Sequence, residues 1–215
     1  MRHYTVAQQN STSSVEIEVK LAVDDLAAFA GQLSALGFRL VTPETLERNT
    51  LLDTPDHLLR QRGQLLRIRQ YGDRWILTHK SKRQRPETSS YRERLETETE
   101  VGDGGKLTAI LEQLGYQPMF VYEKCRSEWT DGAGQVVVDV TPIGNYAELE
   151  GAHAWIDSVA ARLGFSAADY ITLSYGQLFL QWKQATHHPA QNMTFAEVGR
   201  TMNVSTAPES ANLPH

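Results

Sequence analysis

Charge at every second position, on strand after strand, most limits what this chain can fold into. Ser14-Val15-Glu16-Ile17-Glu18-Val19-Lys20-Leu21 alternates apolar and charged side chains strictly. Successive side chains of a strand point to opposite faces, so this segment has one apolar and one charged face. The pattern returns in Leu66-Arg67-Ile68-Arg69, Arg94-Leu95-Glu96-Thr97-Glu98-Thr99-Glu100, Lys124-Cys125-Arg126 and Tyr146-Ala147-Glu148-Leu149-Glu150. Thr78-His79-Lys80 adds a base, and the apolar run Val136-Val137-Val138 ends in Asp139.

Taken singly, each of these pairs reads as the solvated face of a strand, where ion pairs contribute little. Taken together they read differently, because the alternate positions (Val15, Ile17, Val19; Leu66, Ile68; Val136, Val138; Leu149) are apolar. Those residues can pack beneath external helices, which leaves the charged faces pointing toward one another. An antiparallel sheet curled into a barrel collects them inside. Buried charge is costly unless wet, compensated or filled by ions. The set holds seven bases and eight acids, so bases can grip a polyphosphate while acids hold its divalent cations.

The rest of the pattern supplies the helices. Asp24 caps an amphipathic helix carrying Leu26, Phe29, Ala30, Leu33 and Leu36 that ends at Gly37. A strand is predicted near 39–52, a hairpin of 64–71 and 74–80 turns at Gly72-Asp73, and a strand runs over 91–101. Gly102-Asp103-Gly104-Gly105 opens a helix closed by Gly115, followed by strands near 117–129, 135–141 and 145–150. Helices over 152–163 and 167–184 complete a domain of residues 15–184. Residues 1–14 read as a flexible leader and 185–215, with its inert His187-His188 pair, as a disordered or loosely docked tail. Short connections between many strands predict an α+β fold: a mainly antiparallel sheet with helices packed outside it.

Composition narrows the partners. The 21 Lys and Arg against 26 Asp and Glu give a net charge of −5, which argues against binding duplex nucleic acid. Cys125 is the single cysteine, so no internal disulfide forms, and the count argues against a cysteine-based zinc site. The polar N-terminus lacks a signal-peptide core and no apolar run reaches the ~20 residues of a bilayer span. A cytoplasmic setting without membrane attachment is the expectation.

Glu16-x-Glu18-x-Lys20 at the start of a domain resembles the hallmark of the CYTH superfamily, the triphosphate tunnel metalloenzymes. The order of the remaining motifs is similar too: Leu66-Arg67-x-Arg69, Thr78-x-Lys80, Arg94-x-Glu96-x-Glu98, Lys124-x-Arg126, Asp139, Glu148-x-Glu150 and Ser174-Tyr175, with a Leu52-Asp53-Thr54-Pro55 turn. The resemblance covers about residues 15–184. It implies an eight-stranded antiparallel β-barrel, the triphosphate tunnel, with helices on the outside. In that barrel Lys20, Arg67, Arg69, Lys80, Arg94, Lys124 and Arg126 would bind the triphosphate. Glu16, Glu18, Asp139, Glu148 and Glu150 would hold Mg2+ or Mn2+, and Glu18, Glu98 and Lys80 would act in catalysis. Glu96 and Glu98 would orient the bases or the attacking water.

The implied activity is a metal-dependent triphosphatase acting on inorganic triphosphate, thiamine triphosphate or a nucleotide. Attack by a ribose 3′-hydroxyl on the α-phosphorus of ATP would instead make the enzyme a class IV adenylate cyclase. The residues show no distinctive adenine-binding motif, which favours hydrolysis. A non-catalytic polyphosphate or nucleotide binder is the reading from another class, and the full set of acids counts against it. Lys82, Arg83 and Arg85 in the loop 81–90 are read as solvated, and Cys125 as packing.

Overall fold

The computed structural model describes residues 14–82 and 90–201. Residues 1–13 of the expected leader, Arg83 and Arg85 of the loop, and 202–215 of the expected tail lie outside the described residues.

Among the described residues, eight strands close into a barrel: β1 (Ser14–Ala22), β2 (Arg39–Asp53), β3 (Gln64–Tyr71), β4 (Arg74–Lys82), β5 (Arg92–Val101), β6 (Gln117–Thr130), β7 (Gln135–Thr141) and β8 (Gly144–Glu150). Their order around the wall is β1-β5-β4-β3-β2-β6-β7-β8. Every neighbouring pair is antiparallel. Helices α1 (Leu26–Ala35), α2 (Leu58–Gln61), α3 (Gly104–Gln113), α4 (His153–Arg162), α5 (Tyr175–Thr186) and α6 (Phe195–Val198) fill the connections and the C-terminus. No helix among the described residues is long and apolar enough to cross a membrane.

Alternation sorts the side chains as charge and hydrophobicity demand. Val19 and Leu21 of β1, Val136 and Val138 of β7 and Leu149 of β8 are buried on the outer face. They pack against Phe29 and Leu33 of α1 and Ile156, Val159 and Ala160 of α4. Burying such side chains stabilises by about 1.5–3 kcal/mol each, which commits the intervening charged positions to the interior.

Three local expectations change. The α1 cap is Asp25, whose carboxylate accepts from the Ala28 amide at 2.9 Å, rather than Asp24. The helix expected over 167–184 is divided into a 3-10 turn at Ala167–Asp169 and α5, which begins after the Ser174 cap. Between them Ile171 exchanges two backbone hydrogen bonds with Lys20, at 3.0 and 2.9 Å. It thereby pairs an edge of β1 that β5 leaves open beyond Glu18.

The third change concerns the polar stretch after 185, which is packed against the barrel as far as Arg200 rather than disordered. The Met193 amide donates to Val121 O at 3.0 Å, and the Glu123 amide donates to Met193 O at 2.9 Å. Asn192 Oδ1 accepts from the Val121 amide at 2.9 Å and Arg200 Nη1 donates to Thr141 O at 2.6 Å. Met193 is fully buried beside Tyr122, Tyr175 and Phe179. This strap supplies partners to a β6 edge that β7 is too short to cover.

Met193→Ala is therefore expected to destabilise the protein by about 2–5 kcal/mol in urea unfolding, the usual cost of emptying such a site. A tail lying free of the barrel predicts no change.

Candidate active site

The inner faces of the strands bring the alternating charges into one cavity of 110 Å3. Its walls carry Glu16, Glu18 and Lys20 of β1, Arg67 and Arg69 of β3, Lys80 of β4, Arg92 of β5, Lys124 and Arg126 of β6, and Glu148 and Glu150 of β8. Ser174, Tyr175 and Gly176 at the start of α5 line it as well. A wider open groove of 600 Å3 adjoins it, sharing Glu16 and Glu150.

Register explains how these groups meet. Glu18 stands opposite Glu150, and Lys20 opposite Glu148. Lys80 stands opposite Glu96, and Thr78 opposite Glu98. Directly opposed carboxylates repel, so the Glu18–Glu150 pair persists only with cations nearby. Lys20 Nζ lies 3.0 Å from Glu18 and 3.1 Å from Glu148. Arg126 grips Asp139 through Nε at 2.8 Å and Nη2 at 2.7 Å, and reaches Glu148 at 2.5 Å. Lys124 donates to Asp139 at 3.0 Å, and the Tyr175 hydroxyl donates to the same carboxylate at 2.6 Å. Arg67 donates to Tyr122 Oη at 3.2 Å, Thr78 Oγ1 at 3.1 Å and Glu98 at 3.1 Å. Lys80 contacts Glu16 at 2.6 Å and Glu96 at 3.1 Å.

The acids divide into two kinds. Burial raises Glu18, but Lys20, Arg92 and Lys80 outweigh it and hold the carboxyl at about 2. Burial likewise raises Glu98, yet Arg69 and its hydrogen-bonding neighbours bring it to about 2. Glu150 goes the other way: burial, reinforced by Glu148, Glu18 and Glu16, pushes it up to about 8 against the pull of Arg126. Burial pushes Glu96 up to about 7 despite Lys80. Glu16, Glu18 and Glu150 each bring a carboxylate oxygen within 4.8 Å of the other two. Three hard oxygen donors so close that one resists ionising fit a small divalent cation, whose charge would relieve the crowding.

Of the residues expected to hold metal, Glu16, Glu18 and Glu150 thus converge. Asp139 does not join them, because Arg126, Lys124 and Tyr175 occupy its carboxylate. Glu148 is held between Lys20 and Arg126. Among the expected phosphate-binding cations, Arg94 is displaced: its Nη1 donates to Gly63 O at 2.9 Å, away from the cavity wall. Arg92, two residues earlier on the same face, lines the cavity instead and donates to Glu18 at 2.6 Å. Lys20, Arg67, Arg69, Lys80, Lys124 and Arg126 all line the cavity, and Glu98 binds Arg67 beside it.

The sequence reading missed Glu47, a fully buried acid among Lys124 at 3.5 Å, Arg69 at 3.7 Å and Arg126 at 3.8 Å. It also missed Tyr122, which lines the same wall. The signal for Glu47 was present as Leu46-Glu47-Arg48-Asn49, where Glu47 and Asn49 share the inner face.

The interior charge, the closed antiparallel barrel and the acidic cluster define a charged-tunnel protein. A model of the CYTH domain matches residues 14–161, and the chain belongs to that family. It is 28% identical over 188 residues to adenylate cyclase CyaB of Aeromonas hydrophila, covering 80% of this chain and 93% of that protein. Among solved structures, an adenylate-cyclase-named protein of Vibrio parahaemolyticus superposes with a TM-score of 0.66 at 20% identity, over 79% of this chain and 99% of its own. HpAC1 of Hippeastrum, which carries an adenylyl cyclase name and a dominant triphosphatase activity, gives 0.58 at 21% identity, over 77% and 95%. At these identities the structural likeness speaks for the fold.

Neutralising Glu47 takes a partner from buried Lys124 and Arg126 and from half-buried Arg69. Glu47→Gln is expected to cost roughly 3–5 kcal/mol in urea unfolding. The Glu47 carboxyl is held far below its ordinary 4.5, with burial raising it and Lys124, Arg69 and Arg126 prevailing. Its folded-state value is depressed, so its contribution is complete above pH 4.5 and declines as the pH falls below that value. The variant should accordingly lose less stability than the wild type between neutral pH and pH 3.

Proposed function

We propose that the cavity is the active site of a divalent-metal-dependent enzyme that cleaves the terminal phosphate from inorganic triphosphate or an organic triphosphate. The observation that carries this reading is one cavity holding both a carboxylate trio and a wall of lysines and arginines. Simple anion binding calls for the bases without the acids. A metal-bound triphosphate calls for both.

Lys20, Arg67, Arg69, Lys80, Lys124 and Arg126 bind phosphate oxygens and hold the chain of phosphorus atoms along the tunnel. Arg67 and Arg69 offer buried Nε–H groups that find no hydrogen-bond partner among the described residues. Glu16, Glu18 and Glu150 would hold Mg2+ or Mn2+, which would supply charge neutralisation to the phosphoryl group. Water attacks the terminal phosphorus, the bridging P–O bond breaks, and the shortened phosphate chain leaves with the bonding electrons. The hydrogen-bonded Glu96–Glu98 pair, placed beside Lys80 and Arg67, is suited to take the water's proton. Glu18, also expected in that role, belongs with Glu16 and Glu150 in the carboxylate trio.

A second reading, cyclisation of ATP to cyclic AMP and pyrophosphate, is favoured by the name of the Aeromonas relative. One assay separates the readings: purified protein with inorganic triphosphate, ATP or thiamine triphosphate, each with Mg2+ or Mn2+. Phosphate release supports hydrolysis, cyclic AMP with pyrophosphate supports cyclisation, and binding without turnover leaves a non-catalytic binder.

Glu16→Gln and Glu150→Gln are expected to lower kcat about 10²–10³-fold, the range for removing one charge-stabilising group. Chelation with EDTA should abolish turnover of the wild type. Folded variants with full activity would remove the carboxylate trio from the mechanism.

A further inference from the structure

In this tunnel the groups suited to metal and to phosphate hold each other. Glu18 accepts from Arg92 Nη1 at 2.6 Å and from Lys20 Nζ at 3.0 Å, while Glu16 accepts from Lys80 Nζ at 2.6 Å. Arg92 stands at the start of β5, directly across from Glu18, with its side chain on the cavity wall. A divalent cation among Glu16, Glu18 and Glu150 draws on the same carboxylate that Arg92 occupies. Two positive partners then compete for one side chain. The guanidinium that loses has five donors in a planar fork, a geometry that suits phosphate oxygens.

We propose that Arg92 is a shared cation, a partner of Glu18 that becomes a ligand of the triphosphate once a metal takes Glu18. This rests on the function proposed above and adds a residue to its binding set. It makes metal and anion reinforce each other through a protein side chain, beyond their direct attraction. It also gives Arg92 effects of opposite sign, opposing metal that binds alone while supporting the anion.

Removal of Arg92 leaves Lys20 on Glu18, so that carboxylate stays compensated. The experiment compares wild type with Arg92→Ala and Arg92→Lys, with thermal unfolding as the check on folding. Mn2+ affinity is measured by electron paramagnetic resonance without anion, and triphosphate affinity by calorimetry in saturating Mn2+ with imidotriphosphate, an analogue whose bridging nitrogens resist hydrolysis. Arg92→Ala is expected to tighten Mn2+ severalfold and to weaken triphosphate roughly tenfold, as for loss of one charged hydrogen bond. Arg92→Lys, which keeps the charge and loses the fork, should bind Mn2+ like wild type and triphosphate at intermediate strength.

Weakening of both ligands in folded Arg92→Ala would make Arg92 a brace for Glu18 and overturn the proposal. Tighter Mn2+ with unchanged triphosphate would leave it a counter-ion only, also against the proposal. If Arg92→Ala does not fold, the Arg92→Lys pair of affinities decides. Wild-type protein that binds Mn2+ but no triphosphate overturns the proposed function itself. Wild type that binds both, with variants unaffected, overturns the role of Arg92 alone.

Discussion

Compensation of charge inside a closed barrel is the constraint on which the rest of this structure depends. Glu18, Lys20, Glu47, Lys124, Arg126, Asp139 and Glu148 are all buried, most of them almost completely. None could stay ionised there alone, since the desolvation of each costs several kcal/mol before any partner is counted. The barrel solves this by register: strands are aligned so that Lys20 meets Glu148 and Arg126 meets Asp139 across single strand pairs. A slip of one residue would put every charge outside and every apolar residue inside. The apolar contacts under α1 and α4 and the ion pairs in the tunnel therefore enforce the same alignment from opposite faces.

Most of this architecture was legible because period-2 charge is a strong signal when several strands carry it. Glu16, Glu18, Lys20, Arg67, Arg69, Lys124 and Arg126 reach the interior as their spacing requires. Arg92 and Arg94 show where spacing stops. Both lie on the same face of β5, yet one points to Glu18 and the other to the carbonyl of Gly63. Position along the strand decides between cavity and rim, and that depends on the stagger of β1 against β5. Stagger is a property of closure, which no single segment contains.

Glu47, whose signal is weak, and the C-terminal strap were missed for a different reason. Glu47 lies in a strand whose outer positions include polar Arg48, so apolar-charged alternation is lost there. The strap is polar because its task is to satisfy a backbone edge, which needs Asn192 and main-chain groups more than hydrophobic bulk. Only Ala190, Met193 and Phe195 are buried apolar residues within it. Such a segment has the composition of a disordered tail and becomes ordered only because β6 outruns β7.

The balance of charge also limits what the tunnel can accept. Lys20, Arg67, Arg69, Lys80, Arg92, Lys124 and Arg126 face Glu16, Glu18, Glu47, Glu96, Glu98, Asp139, Glu148 and Glu150. Even with Glu96 pushed up to about 7 and Glu150 to about 8, each of these seven cations has another carboxylate within 4 Å, so a bare polyanion meets cations that are already committed. An anion entering without a counter-ion has to break existing ion pairs and strand their acids in a poorly solvated space. Under the function proposed above, an anion arriving with a divalent metal would exchange partners instead: the metal would take carboxylates and the released lysines and arginines would take phosphate. On that reading the tunnel would favour the metal complex over the free anion, and its acids would be the source of that preference.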